Sequence, residues 1–169
     1  MMKKTTKDET CSIDIMPLEN QLCFGLYATS HAMIRAYRPL LVQLDLTYPQ
    51  FLVMLALWQK DGQIVSALGA SLYLDSGTLS PLLKRLEAAE LITKTRMRHD
   101  ERLVVVHLTQ KGWDLRPAGE DTCNRVRSMI GMSAHEINAL RQKLDQLLLV
   151  LQGSETEATP APKVKTLAM

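Results

Sequence analysis

The chain has 169 residues and carries 20 Lys plus Arg against 18 Asp plus Glu, so its overall charge is a weak argument for a nucleic-acid partner. No apolar run approaches the roughly 18–20 residues that a membrane span needs, and no signal-peptide pattern is present. Three cysteines are too few and too scattered for a disulfide scaffold. These features predict one compact protomer with tails, in a bacterial-type cytoplasm.

Residues 1–16 form a polar leader without hydrophobic periodicity, which we expect to be disordered. A long helix is predicted from Pro17, because proline is tolerated in a first turn, and Pro39 is expected to bend or end it. Residues recurring at helical spacing predict its packing stripe: Leu22, Leu26, Thr29, Met33, Ala36 and Leu40.

Cys23 lies near the start of this helix, and two interpretations of it stay open. A lone cysteine is usually a small apolar core residue. However, Tyr27 shares its helix face, and Tyr37 returns to that face about 21 Å along the axis, within reach only from an antiparallel partner helix. Phenolic hydroxyls that donate to a thiolate lower its pKa, and the thiolate is the form that peroxides attack.

The next helix is predicted to begin at Tyr48, since Thr47 and Gln50 have the spacing of a capping box. It continues as an apolar segment in which Trp58 is most simply a core residue. A short strand is predicted at residues 63–64.

Two short helical patterns and a tight turn follow. In the first pattern Val65, Leu68 and Leu72 recur at helical spacing. After a turn, Asp75 or Ser76 can cap the second helix. That helix buries Leu79, Leu82, Leu83 and Leu86 and leaves Ser76, Thr78, Ser80, Pro81, Lys84 and Arg85 outside. An ordinary helical hairpin shares this pattern, but small polar groups followed by cations suit insertion into a DNA major groove.

A basic β-hairpin is predicted directly after the second helix. Residues 92–96 alternate like a strand, residues 103–108 are rich in β-branched side chains, and residues 97–102 form a basic tip between them. A helix-turn-helix followed by such a hairpin is a winged helix, whose wing can send arginines towards phosphates or a narrow minor groove. Phosphate neutralisation is local, so the clustered cations matter more than net charge: Lys84, Arg85, Lys94, Arg96, Arg98 and Arg102.

After the hairpin, Thr109 is predicted to cap a helix over about 110–129 that contains Cys123, although Pro117 and Gly119 leave its first part open. A second capping box opens at Ser133. The helix that it starts carries a narrow apolar seam: Ile137, Leu140, Leu144, Leu147 and Leu151. Such a seam can pack on its own domain, but its three-four spacing favours another helix and therefore dimerisation. Residues 152–169 are expected to form a disordered tail.

The sequence lacks the motifs of several common catalytic and metal-binding sites. There is no CxxC pair, no HExxH, no glycine-rich phosphate loop and no GxSxG elbow. The four histidines, His31, His99, His107 and His135, show no metal-ligand spacing. We therefore predict neither an enzyme active site nor a metal or cofactor.

The run LDSGTLSPLLKRLEAAELI, the hairpin segment DER and the following LTQKG resemble the multiple antibiotic resistance regulator (MarR) family. The resemblance covers roughly residues 18–151. It implies a mainly α winged helix-turn-helix with a small β-wing, which dimerises through its N- and C-terminal helices. These dimerisation helices are placed at about 17–45 and 109–151, around a DNA-binding part at about 47–108.

The resemblance also implies a homodimer that binds a pseudo-palindromic operator, usually as a repressor. It implies that Arg102 is a wing contact and that Asp100 orients it, while residues of the second helix face DNA. The predicted DNA-contacting residues are Ser76, Gly77, Thr78, Ser80, Pro81, Lys84, Arg85, Arg96, Arg98, Asp100 and Arg102.

Residues 18–58, LENQLCFGLYATSHAMIRAYRPLLVQLDLTYPQFLVMLALW, resemble one branch of this family, the organic hydroperoxide resistance regulators. The resemblance implies that Cys23 senses peroxide. It also implies that Tyr27 and, from the partner subunit, Tyr37 and Tyr48 surround it. With that tyrosine set present, sensing becomes the better interpretation of Cys23.

Some members of this branch resolve the oxidised cysteine with a second cysteine of the other subunit, in the helix after the wing, and others rely on small thiols. Cys123 lies in that helix, about a turn earlier than the expected position. We favour an intersubunit Cys23–Cys123 disulfide, whose closure would require the helices to shift. Cys11 or a small cellular thiol are the alternatives.

The sequence thus predicts a redox-sensing transcriptional repressor that is released from DNA when organic hydroperoxide oxidises Cys23. Its partners are operator DNA, a second copy and the peroxide, with no membrane. Two other functions stay open: a repressor that responds to a phenolic ligand in the dimer crevice, and a thiol-dependent redox enzyme using Cys23. The enzyme interpretation has no use for a winged helix.

Overall fold

The computed structural model describes residues 16–97 and 100–155, with the backbone alone at 100–102 and 154–155. The predicted leader up to residue 15 and the tail after residue 155 lie outside the described residues. Contacts divide the chain into two compact units, with the boundary between Val126 and Arg127.

The first unit carries most of the fold, and the predicted fold class of a mainly helical protein with a small β-wing is confirmed. Its elements are α1 (Leu22–Val42), α2 (Tyr48–Gln59), β1 (Gln63–Ile64), α3 (Val65–Leu72), α4 (Ser76–Ala88), β2 (Ile92–Met97), β3 (Asp100–Leu108), α5 (Gln110–Asp114) and most of α6 (Arg116–Ile130). The second unit contains the end of α6 and α7 (Ala134–Glu155).

The first long helix begins later than predicted. Residues 18–20 form a single 3-10 turn, so α1 begins at Leu22 rather than at Pro17. It passes through Pro39 and ends three residues later, at Val42, so the proline itself does not end the helix. After the end of α1, Asp45 takes a left-handed conformation with φ 51°.

Both predicted capping boxes are present. The backbone N–H of Thr47 donates to Oε1 of Gln50 at 2.8 Å, at the start of α2. At the start of α7, the backbone N–H of Ser133 donates to Oε2 of Glu136 at 2.8 Å. Each box supplies a partner for an N–H that the helix itself leaves free.

The sheet has the order β1-β3-β2 and is antiparallel throughout. Gln63 pairs with Val106, which confirms the predicted short strand at residues 63–64. The hairpin is tighter than predicted: β3 already begins at Asp100, so residues 100–102 belong to a strand and not to the tip. A register irregularity between Arg96 and Met97 allows this shorter turn.

The helix predicted over 110–129 is in fact two helices, α5 and α6, which are separated at Leu115. Thr109 caps the first by accepting the N–H of Gly112 at 3.0 Å. Pro117 explains the break, since it lacks the N–H that a continuous helix would use and is tolerated in a first turn.

The core of the first unit is formed by α2, α3, α4 and the sheet, and Trp58 is buried in it as predicted. Its indole N–H donates to the carbonyl oxygen of Gly112 at 2.9 Å, which ties α2 to α5. The α6 backbone also approaches closely at Gly119, where an added Cβ would lie 2.5 Å from Cζ3 of Trp58 and 3.4 Å from Cε2 of Phe51.

Gly119→Ala is therefore expected to lower the free energy of unfolding by about 1–3 kcal/mol, because the added methyl overpacks the Trp58 ring. Urea denaturation of the two proteins measures the difference. Gly153→Ala is the matched control, since its Cβ would meet nothing within 4 Å. Equal stability of Gly119→Ala and the unmodified protein would show that α6 does not pack this closely on Trp58.

The helix α7 is 22 residues long and reaches Glu155, so residues 152–155 are helical and not part of a disordered tail as predicted. Its apolar seam stays open within the protomer, with Leu140 47%, Leu144 40% and Leu151 56% exposed. In the first unit, the start of α1 is equally open, with Leu22 64% exposed. Within the described ranges, no helix has the length and apolarity to span a bilayer.

Candidate nucleic-acid interface and cysteine site

The turn before α4 fixes the start of the predicted DNA-reading helix. Tyr73 ends α3 in a left-handed conformation, and a Cβ at Gly69 would lie 2.9 Å from the carbonyl oxygen of Leu74, so the turn needs glycine there. Asp75 caps α4: Oδ1 accepts the N–H of Thr78 at 3.0 Å and Oδ2 accepts its hydroxyl at 2.9 Å. These bonds hold the pKa of the Asp75 carboxyl below its ordinary value, and the bond from the Thr78 hydroxyl has the largest effect.

One face of α4 packs on the core and the other is open to solvent. Leu79, Leu83 and Leu86 are buried, and Leu82 is only half-buried. The opposite face consists of the residues predicted to meet DNA: Ser76, Gly77, Thr78, Ser80, Pro81, Lys84 and Arg85, all exposed. Their exposure is what a major-groove helix requires, and their contact with DNA stays a prediction.

The cations of the hairpin are not equivalent. Lys94 is held by Glu87 of α4 through a salt bridge of 2.8 Å, which joins the wing to the reading helix. Arg96 is exposed on β2. Arg98 lies outside the described residues, and the structure gives only the backbone of Asp100 and Arg102, within β3.

An apolar groove of about 620 Å³ lies between α3, α4 and the hairpin. Leu74, Leu79 and Leu103 contribute to its walls, with Ser80 and Lys94 as polar members. The pocket for phenolic ligands that the alternative interpretation places in the dimer crevice stays untested.

Cys23 is exposed in the protomer, so the structure does not place it in the core. Its Sγ donates to Oε1 of Gln21 at 3.9 Å. Tyr27, one turn further along α1, is 61% exposed and stacks on His31 with ring centroids 4.3 Å apart. The start of α1 therefore presents a thiol and two aromatic rings on an open surface.

Tyr37 and Tyr48 lie together on the core side, with ring centroids 5.1 Å apart. They pack against the core with Cys123 of the same chain, which is half-buried. Tyr37 forms a side-chain hydrogen bond with Cys123. In this structure the two tyrosines thus meet the second cysteine of their own protomer.

The pKa values of this cluster follow from burial and from the contact with sulfur. Several effects together raise the pKa of Tyr37 to about 12. Burial is the largest, followed by the charges of Cys123 and Tyr48 and then by the hydrogen bond with Cys123. Burial, followed by the charge of Cys123, raises the pKa of Tyr48. Burial also raises the pKa of the Cys123 thiol, and the hydrogen bond from Tyr37 acts in the opposite direction. Burial therefore opposes ionisation of the Cys123 thiol, which lies beside a phenol that keeps its proton.

Sequence reasoning did not find the contact between Tyr37 and Cys123. The two residues are far apart in the chain and lie on different helices, so no periodicity connects them. The sequence placed Tyr37 and Tyr48 around Cys23 of a partner subunit, which a single chain leaves untested. Within the described residues, no group of three or more His, Cys, Asp or Glu is arranged to hold a metal ion.

Residues 35–116 match the family model described as transcriptional regulator SarA/Rot. Curated relatives match over most of the chain. The HTH-type transcriptional regulator TtmR of Methylorubrum extorquens (strain PA1) is 46% identical over 142 residues, which are 84% of this chain and 73% of that protein. The organic hydroperoxide resistance transcriptional regulator of Bacillus subtilis (strain 168) is 44% identical over 138 residues, 82% of this chain and 94% of that protein.

Among solved structures, AbfR of Staphylococcus epidermidis superposes with a TM-score of 0.70 at 33% identity, covering 80% of this chain and 94% of its own. Reduced AbfR bound to DNA superposes with a TM-score of 0.68 at 34% identity, covering 79% of this chain and 94% of its own. The disulfide-formed state of AbfR superposes with a TM-score of 0.58 at 33% identity, covering 78% of this chain and 92% of its own. The present structure is thus more similar to DNA-bound AbfR than to its disulfide-formed state.

Proposed function

This chain belongs to the multiple antibiotic resistance regulator family, within its branch of organic hydroperoxide resistance regulators, and from that premise we propose that it is a redox-sensing repressor released from its operator when organic hydroperoxide oxidises Cys23. One observation carries the proposal. The same chain combines an open polar face on α4 with an open thiol at the start of α1. The first suits DNA and the second suits an oxidant.

DNA binding is supported by the face of α4 and by the relative whose structure contains DNA. The cap at Asp75 fixes the first turn of α4, and the small polar residues of that turn are exposed, where side chains can reach base edges. Lys84 and Arg85 follow on the same exposed side, where phosphates would lie. Reduced AbfR, which is 34% identical, is bound to DNA in its structure.

A homodimer is supported by apolar surfaces that the protomer leaves open. In α7, Leu140, Leu144 and Leu151 keep about half of their area exposed, at the spacing of a helix-helix seam. In α1, Leu22 and Leu26 are also exposed. A second copy buries these stripes and gives the two α4 helices that a pseudo-palindromic operator requires.

The proposed trigger is oxidation of Cys23. Its thiolate attacks the peroxide, so that the sulfur becomes a sulfenic acid and the organic hydroperoxide leaves as the alcohol. In the protomer, Cys23 is not covered by the core of its own subunit. We infer that Tyr27 of its own subunit and Tyr37 and Tyr48 of the second copy surround it in the dimer.

The proposed second step is a disulfide between Cys23 of one subunit and Cys123 of the other. A disulfide needs Cα atoms roughly 4–7 Å apart, so closing it shifts the helices that carry the two cysteines. Such a shift spreads the two winged lobes and spoils their half-site spacing. The poorer fit of this structure to disulfide-formed AbfR than to reduced AbfR supports a change of this kind.

The experiment uses DNA selected from a random pool by the reduced protein. In a gel-shift assay, reduced protein is expected to retain the selected DNA, cumene hydroperoxide to release it, and a thiol reductant to restore the complex. Release by phenolic compounds together with indifference to peroxide would replace the proposal with a ligand-responsive repressor. Catalytic turnover of peroxide without any selected DNA would replace it with a thiol enzyme.

Arg102→Ala is expected to weaken binding to the selected DNA by about 1–3 kcal/mol, as for one lost charged contact from the wing. Fluorescence anisotropy at physiological salt measures the affinity. Arg125→Ala is the matched control: it removes the same charge from α6, where Arg125 is paired with Asp121 at 2.7 Å. Unchanged affinity of Arg102→Ala would show that the wing is misplaced.

A further inference from the structure

An ion pair between Glu87 and Lys94 connects α4 to the first strand of the hairpin. Oε2 of Glu87 lies 2.8 Å from Nζ of Lys94, and the two side chains are 41% and 28% exposed. Glu87 belongs to the last turn of α4, and Lys94 belongs to β2. The pair therefore joins opposite charges of two different elements at the protein surface.

Lys94 lies among residues that are predicted to contact DNA. On β2, Lys94 and Arg96 share one face, since side chains two residues apart in a strand do so. Lys94 also lines the apolar groove together with Ser76 and Ser80, from the first turns of α4. Arg96, Ser76 and Ser80 are all exposed. A Lys94 side chain released from Glu87 thus has predicted DNA contacts within its surroundings on two elements.

Glu87 holds the lysine at the end of α4 that lies away from those contacts. Ser80, Leu83 and Glu87 are spaced by three and four residues, so they form one row along the helix. Ser80 and Leu83 both line the groove. Seven residues of helix place Glu87 about 10 Å along the axis from Ser80. The carboxylate therefore draws the Lys94 ammonium towards the C-terminal end of α4 and away from its exposed first turns.

Other contacts already fix the base of the hairpin. Leu91 and Ile92 are buried in the core, at 5% and 1% exposure. The hydroxyl of Thr109 donates to the carbonyl oxygen of Glu90 at 2.6 Å, and its backbone N–H donates to that of Leu91 at 3.1 Å. A partly exposed ion pair adds little to stability beside such contacts. The main effect of the pair is therefore on the charge that the protein offers to DNA.

We propose that Glu87 limits the sequence-independent affinity for DNA by holding Lys94 away from the phosphate backbone. This inference rests on the proposed function, since it requires that α4 and the wing bind DNA. Each phosphate that a cation neutralises releases condensed counterions and strengthens binding to any sequence. Withholding one cation per subunit leaves the base contacts of α4 with a larger share of the affinity.

The test measures affinity by fluorescence anisotropy between about 50 and 200 mM salt, for the selected DNA and for an unrelated duplex of the same length. In Glu87→Gln, Lys94 is freed, and binding to both duplexes is expected to tighten by about tenfold at the lowest salt concentration. The factor is the same for both, because a phosphate contact carries no sequence information. The slope of log affinity against log salt should become steeper by about 0.9 per subunit, as for one more neutralised phosphate.

Two further variants make the result specific to this pair. Glu120→Gln removes the same charge from α6, where Glu120 is paired with Arg116 at 2.9 Å, and is expected to bind both duplexes like the unmodified protein. Adding Lys94→Gln to Glu87→Gln is expected to remove the gain in affinity and in slope, because the freed cation is gone.

Unchanged affinity and slope in Glu87→Gln would overturn this inference, and so would a gain that persists in the double variant. Weaker binding of Glu87→Gln to the selected DNA alone would also overturn it, since that result indicates a pair that orients the wing on the operator. If the unmodified protein retains neither duplex, the proposed function itself is overturned.

Discussion

Cys23→Ser is expected to bind the selected operator as tightly as the unmodified protein and to remain bound in organic hydroperoxide. Serine is close to cysteine in size, and Cys23 lies outside the core of its own subunit, so no core packing is lost. It provides no sulfur for the peroxide to oxidise, so the trigger is absent. Fluorescence anisotropy before and after peroxide treatment measures both properties in one sample.

Two controls make this result specific. Cys123→Ser keeps Cys23 and is expected still to form the sulfenic acid, although the disulfide between subunits is lost. Cys11→Ser alters a residue outside the described part of the chain and is expected to respond like the unmodified protein. Release of Cys23→Ser by peroxide at the dose that releases the unmodified protein would show that another residue senses the oxidant.

A covalent dimer is expected on non-reducing gels after peroxide treatment, and Cys123→Ser is expected to abolish it. Both effects are close to all-or-none, because the disulfide links Cys23 of one subunit to Cys123 of the other. Peptide mapping of the dimer band should identify that pair. A thiol reductant should return the band to the monomer position.

The alternatives to Cys123 give different gels. A dimer band that survives Cys123→Ser but disappears in Cys11→Ser would assign resolution to Cys11. Peroxide-treated protein that stays monomeric, with a small thiol attached to Cys23, would assign it to cellular thiols. Either result would contradict the intersubunit disulfide while leaving Cys23 as the sensor.

Local signals explain why much of the fold could be predicted. Capping residues at Thr47, Asp75 and Ser133 depend on positions three residues away, so their spacing is readable in the sequence. The amphipathic pattern of α4 likewise predicts which leucines are buried and which polar residues are exposed. These predictions need no knowledge of distant contacts.

The predictions were wrong at the ends of two elements. Residues 152–155 read as a tail, yet α7 continues through Gly153, because the cost of one glycine in a helix is small. The hairpin tip was placed over 97–102, whereas β3 starts at Asp100, because pairing along the strands favours a shorter turn.

The candidate site shows the same division. Cys23 and the set of tyrosines could be identified from the sequence by resemblance, since they lie in one continuous stretch. The hydrogen bond from Tyr37 to Cys123 could not, because it depends on how α6 packs against α1 and α2. That packing relies on Gly119, whose missing side chain leaves room for Trp58. Gly119, a glycine inside a predicted helix, was the only sign in the sequence that another element packs closely on α6. It did not identify Trp58 as the side chain that does so.

The most direct test of the account is a titration of the operator complex with cumene hydroperoxide, in which the bound fraction and the state of Cys23 are measured in the same samples. Anisotropy gives the first quantity and mass spectrometry of the Cys23 peptide gives the second. We expect the two curves to coincide and to saturate at about one equivalent of peroxide per subunit, since one sulfenic acid consumes one peroxide. Release that precedes modification of Cys23, or full modification of Cys23 without release, would contradict it.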